Sequence, residues 1–138
     1  MTPKIEDYFD GVERLFLLSP VVLSFDVKER EERLQEGFIR VRAVLSNGDL
    51  IEAFEFVAAR PDAIQTLTYR IHWQSGNGRL KRRWDNAPHH AEVPTFPHHV
   101  HLDTAEGVAP SESMRIVTAL AFVEGEIERD ERLPRGDS

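Results

Sequence analysis

The chain has 138 residues, no cysteine and a net charge of −7 at pH 7, which excludes a disulfide framework, a zinc ribbon and a thiol nucleophile. Its length suits one domain, residues 1–138, able to bury a core without disulfides or a structural metal. The opening MTPKIEDYFD lacks a signal-peptide pattern and no apolar run approaches the roughly 20 residues that span a bilayer, so a soluble, cytoplasmic protein with no membrane partner is expected.

Residues 3–18 read as an amphipathic helix. Ile5, Tyr8, Phe9, Val12, Leu15 and Phe16 recur at i, i+3, i+4 and i+7. Thr2 suits the cap and Pro3 the first helical position. Pro20 ends the helix, because the residue before a proline avoids helical backbone. From Val21 to Lys28 the pattern alternates, with Val21, Leu23, Phe25 and Val27 on one face. The charged run 28–36, KEREERLQE, reads as a solvated turn or a fraying strand end.

A second strand covers 37–46, with Ile39, Val41, Ala43 and Leu45 facing the core and Arg40 and Arg42 opposite. Asn47-Gly48 predicts a hairpin through a type I′ turn, which needs positive φ at both positions. The third strand, 50–59, is apolar on both faces and is expected to be central. Arg60-Pro61-Asp62 turns the chain. In the fourth strand, 64–74, Leu67, Tyr69, Ile71 and Trp73 form one face, and Thr66, Thr68, Arg70, His72 and Gln74 the other. Residues 75–78 make a loose loop before the fifth strand, 79–85.

Residues 86–110 have neither helical nor strand periodicity. A loop of this length is unusual in a compact domain. We expect it to be ordered and folded over the sheet, with His99–Leu102 as a short added strand. Residues 111–131 form the last helix, capped by Ser111 or Ser113, with Ile116, Leu120, Val123 and Ile127 on one face. Beyond it, the end of ERDERLPRGDS reads as an exposed tail.

The unusual chemistry lies between Trp84 and His101. His89, His90, His98, His99 and His101 are five of the chain's six histidines, within 13 residues. Pro88, Pro94 and Pro97 stiffen the backbone between them. Residues 60–101 carry six bases (Arg60, Arg70, Arg79, Lys81, Arg82 and Arg83) against three acids, whereas both ends of the chain are acidic. Overall acidity argues against general adhesion to nucleic acid, but a local basic strip still binds phosphate.

Three readings of the histidine loop stay open. Imidazole transfers protons near neutral pH without tuning. Beside a basic strip, that chemistry fits metal-free cleavage of RNA, with the 2′-hydroxyl attacking the adjacent phosphate. His89, His90, His98, His99 and His101, joined by His72 on strand four, are the candidate acids and bases. Arg70, Lys81 and Arg83 are the candidate phosphate ligands, and Asp85 and Asn86 the candidate orienting groups, although Asp85-Asn86 after a strand more commonly just makes a turn. Alternatively the loop holds a divalent metal: His99 and His101 point the same way on an extended segment, and His89 or His90 with Asp85 or Asp103 completes a site. In the third reading the rings brace the loop on the sheet, and the protein is a non-enzymatic interaction module. Trp73 and Trp84 are read as core.

The run Arg83-Trp84-Asp85-Asn86-Ala87-Pro88-His89-His90, followed by Pro94-Thr95-Phe96-Pro97-His98-His99-Val100-His101-Leu102, resembles the TumE family. IEDYFDGVERL, GFIRVRAVLSNGDLIEAFEFV and TYRIHWQ follow the family's order more loosely. The family comprises small bacterial and archaeal toxins of two-gene toxin–antitoxin systems. The resemblance implies an antitoxin partner encoded beside the chain, typically a DNA-binding one, and carries over no catalytic residues. A helix followed by an antiparallel meander also looks like the RelE-type ribonuclease toxins, at the level of fold alone.

The expected fold is α+β: an antiparallel meander of five or six strands with an N-terminal and a C-terminal helix on one face. The leading functional expectation is a toxin that cleaves RNA without metal or other cofactor. A homodimer is one way to cover an edge strand.

Overall fold

The computed structural model describes residues 2–104 and 107–132. Its elements are α1 (Ile5–Leu18), β1 (Val22–Glu32), β2 (Glu36–Leu45), β3 (Leu50–Ala59), β4 (Ile64–Gln74), β5 (Leu80–Asp85), β6 (His99–Leu102), β7 (Val108–Pro110) and α2 (Ile116–Arg132). The strands form one antiparallel sheet in sequence order, β1 to β7. Both helices pack on the same face of it and on each other, so the α+β expectation holds. The sheet has seven strands where five or six were expected. β6 is the short strand foreseen at His99–Leu102; β7 is new, because three residues carry no readable alternation.

The core follows from alternation. Ile39, Val41, Ala43 and Leu45 of β2 meet Ile51, Ala53 and Val57 of β3, Tyr69, Ile71 and Trp73 of β4, Trp84 of β5 and Val100 of β6, all buried. Phe9, Val12 and Phe16 of α1 cover one part of this face, and Leu120, Val123 and Ile127 of α2 another. A Cβ on Gly37 would lie 2.6 Å from the Glu31 carbonyl and 2.9 Å from Ile5, so glycine there lets α1 approach the sheet.

Several expectations need correction. The charged run after Lys28 is strand as far as Glu32, because it is anchored: Arg30 bonds Asp10 of α1 at 2.8 Å and also pairs with Glu13 and Glu32. A register shift between Val22 and Ser24 turns Leu23 out to 72% exposure. The α1 cap is Lys4, without a side-chain bond, rather than Thr2. Asn47 does not adopt positive φ; Gly48 does, at 90°, with Gly48 N–H donating to the Leu45 carbonyl at 2.9 Å. That is a turn followed by a left-handed glycine, not type I′. The last helix, expected to end at residue 131, runs to Arg132, and the rest of the tail lies outside the described residues.

The most consequential correction concerns α2. It starts at Ile116, and neither Ser111 nor Ser113 caps it. Its first N–H instead donates to Glu55 Oε1 at 2.9 Å. Glu55 lies on β3 at 0% exposure. Its other oxygen accepts from Thr66 Oγ1 at 2.8 Å and from the Tyr8 hydroxyl. Thr66 reaches it because the irregular β3–β4 register pairs Val57 with Thr66 and Phe56 with Thr68. Leu67 is left over, and Thr66 turns inward instead of joining the polar face. A helix N-terminus favours a carboxylate, and burial pushes the neighbouring Tyr8 hydroxyl well above its ordinary pKa.

Glu55→Ala removes the acceptor for three donors at ~1–3 kcal/mol each. It is expected to lower stability by about 3 kcal/mol or more, read as an earlier midpoint in urea unfolding. Glu55→Gln, which keeps one acceptor oxygen, should lose less. Equal midpoints for wild type and Glu55→Ala would contradict this role.

Candidate functional site

With both helices on one side, neither covers the other face of the sheet, and the unusual residues gather there. β5 and β6 pair Arg83 with His101, Trp84 with Val100 and Asp85 with His99. Trp84 and Val100 point into the core. Successive strand residues alternate, so Arg83, Asp85, His99 and His101 share the open face. β4 adds Arg70 opposite Asp85 and His72 opposite Arg83.

The loop after β5 is tied down at both ends. Asn86 Oδ1 accepts from Tyr69 N–H at 3.1 Å, and its Nδ2 donates to the Leu67 carbonyl at 2.9 Å, which extends the ladder along β4. Near the other end Thr95 Oγ1 donates to the His98 carbonyl at 2.7 Å and accepts from Ser111 N–H at 3.0 Å. Val93 is buried as an anchor. The Phe96–Pro97 bond is cis, and His90 has φ 59°. This ordered fold-back matches the expectation for the loop.

Three imidazoles converge. The ring centroids of His90, His99 and His101 lie 4.8 Å (His99–His101), 5.0 Å (His90–His99) and 5.4 Å (His90–His101) apart. Beneath them sits Asp85, 7% exposed. His99 Nε2 lies 2.9 Å from Asp85 Oδ1 and His101 Nε2 3.4 Å from Oδ2. Asp85 Oδ1 also accepts from Ala87 N–H at 3.1 Å, and Arg83 Nε stands 3.9 Å from Oδ2. His99 is fully buried, and its Nδ1 donates to the Pro97 carbonyl at 2.9 Å. His90 is the most exposed of the three rings, with Nδ1 3.0 Å from Glu92 Oε1.

Environment separates the three rings chemically. Burial, and then the charge of Arg83, hold the His101 pKa below its ordinary value, against the opposite pull of Asp85. A neutral imidazole accepts a proton or ligates a metal. Each of the three histidines offers a ring nitrogen, and these lie within 4.8 Å of one another. The cluster opens into a cavity of about 410 Å³ whose wall includes Arg70, Arg83 and Phe54.

The remaining candidates are placed differently. His89 is exposed on the cavity rim. His98 leaves the cluster: its Nδ1 is 2.8 Å from the Tyr69 hydroxyl and the two rings stack. Burial raises the pKa of that hydroxyl to about 12. His72 lies one strand away, on Gln74 at 2.9 Å. Lys81 does not join Arg70 and Arg83. A register shift between Trp73 and Gln74 turns it to Asp49, 2.6 Å away, and over the Trp73 ring. Asn86 holds β4 backbone rather than a histidine. Asp103, weighed as a metal ligand, pairs with Arg79. Phe54 was not singled out from the sequence. The apolar character of both faces of its strand was the signal, and it suggested only a central strand.

No curated protein matches the chain, and no solved structure does. No helix among the described residues is long and apolar enough to cross a membrane. The family described as Toxin TumE matches residues 12–131, which spans the second half of α1, the sheet, the histidine loop and all of α2 but its last residue. The chain therefore belongs to the TumE family of toxins.

Proposed function

We propose that this toxin is an endoribonuclease that cleaves RNA by histidine acid–base chemistry, held in check by an antitoxin partner, which its family implies. The observation that carries the reading is the convergence of His90, His99 and His101 on one another, with His99 and His101 on Asp85, beside Arg70 and Arg83. Arg70 and Arg83 hold the scissile phosphate and offset the charge that builds on it. His101, kept neutral, takes the proton from the 2′-hydroxyl. The 2′-oxygen then attacks phosphorus. His90, the more accessible ring, gives a proton to the departing 5′-oxygen. The products are a 2′,3′-cyclic phosphate and a free 5′-hydroxyl. His99, buried and held at Pro97 and Asp85, positions the other two rings.

A second reading has its own support. The same three nitrogens with Asp85 suit a divalent metal, and a ligating histidine usually donates its other nitrogen to a carbonyl, as His99 does to Pro97. The ligands would then be His90, His99 and His101, with Asp85 beside the last two; His90 is one of the two residues, His89 or His90, that the sequence left open. A metal-dependent phosphoesterase would follow. Elemental analysis of untagged protein separates the two: stoichiometric metal favours this second reading.

Under the acid–base reading, His90→Ala and His101→Ala are each expected to slow cleavage of a single-stranded RNA by roughly 10²-fold or more. Their thermal midpoints should stay close to wild type, because neither ring is fully buried. Loss of stability in step with activity would instead assign the rings to bracing the loop. The pH profile carries a sign. A base works deprotonated, so cleavage falls as pH drops through the His101 pKa. With that pKa held down, the acid limb should lie below the ordinary histidine value of about 6.5. Arg83→Ala should move the limb upward as well as slow the reaction, and a limb that stays in place contradicts His101 as the base.

A further inference from the structure

The uncovered face extends well beyond the histidine cluster. Cross-strand register lines up Arg40 of β2, Phe54 of β3, Arg70 of β4, Asp85 of β5 and His99 of β6 in one row. Phe54 walls the histidine cavity on one side and a second hollow of about 210 Å³ on the other, shared with Arg40 and His72. Its ring is half-buried, with the Arg40 guanidinium 4.8 Å from its centroid and Phe38 6.0 Å away.

We propose that this row is a track for single-stranded nucleic acid, with one base stacked on Phe54, the phosphate on one side of it on Arg40, and the phosphate on its other side, the scissile one, on Arg70 beside the histidines. Charge and shape both argue for this occupant. In a chain of net charge −7, this face gathers Arg40, Arg42, Arg70 and Arg83, with Asp26, Glu29 and Glu52 opposite the first two and Asp85 beside the last, so Arg70 is the cation that stands outside these pairs. Arg70 is exposed and has no carboxylate partner among the described residues. Arg40 and Arg42 have only loose exposed partners, at 3.9 Å and 3.7 Å, which a phosphate can displace. Aromatic rings between arginines suit unpaired bases, because every base has a face to stack while a duplex hides it. Strands lie about 4.8 Å apart, so Phe54 sits roughly 10 Å from Asp85, two strands away. That span suits a base neighbouring the reacting phosphate. The proposal rests on the ribonuclease reading only for what happens at the end of the track; binding stands apart.

The test is fluorescence anisotropy with a labelled 2′-O-methyl oligonucleotide, which lacks the attacking hydroxyl. Phe54→Ala is expected to weaken binding about tenfold or more. Phe54→Leu, which keeps apolar bulk and so the fold, should weaken it likewise, and Phe54→Trp should retain it. Arg40→Gln and Arg70→Gln should each weaken binding and flatten its salt dependence. The duplex form should bind less tightly than the single strand. Unchanged affinity in Phe54→Leu, or a duplex bound equally well, overturns the track and leaves the face to a protein partner. Cleavage of natural RNA by wild type separates the two ideas. Phe54-dependent binding without cleavage sinks the enzyme and keeps the track; cleavage indifferent to Phe54 does the reverse.

Discussion

Much of this structure depends on where one carboxylate is buried. Glu55 is sealed in the core and accepts from α1 through Tyr8, from β4 through Thr66 and from the first N–H of α2. An ionised carboxylate taken out of water is costly unless such donors surround it. The converse is that elements supplying the donors are held in place. Both helices are therefore fastened to the same side of the sheet. Neither helix covers the opposite side, where Arg70, Arg83, Asp85, His90, His99 and His101 line one cavity.

A bare sheet face turns strand alternation into a means of assembly. Trp73, Ile71, Trp84 and Val100 point one way and fill the core. Their neighbours His72, Arg70, Arg83, Asp85, His99 and His101 must point the other way. Three consecutive strands in meander order, β4, β5 and β6, bring these residues side by side without a long-range crossover. The loop between β5 and β6 then needs to add only His90. Asp85 is the organiser at this level, since His99, His101, Arg83 and the Ala87 N–H all face its two oxygens.

The sequence made the strands and the first helix legible because their periods are long and regular. The histidine loop, its basic neighbourhood and the short strand at His99 were readable for the same reason: composition and parity. Parity also separates His98 from His99 and His101, although the five rings looked equivalent in the loop. What was not legible came from long-range contacts. Thr66 turns inward only because Leu67 is extra in the pairing with β3. Lys81 leaves the phosphate strip because a register shift offers it Asp49. The α2 cap comes from a residue 61 positions away, where local rules pointed to a serine. His90 instead of His89 enters the cluster through a left-handed backbone that neither residue type announces.

We propose that these histidines move protons in RNA cleavage and need no metal to do it. The most direct measurement is incubation of the purified protein with RNA in excess chelator, followed by mapping of the cut ends. Histidine acid–base cleavage should give discrete cuts that leave 2′,3′-cyclic phosphate and 5′-hydroxyl ends. Cuts that appear only when a divalent metal is restored, or that leave 5′-phosphate ends, would contradict it.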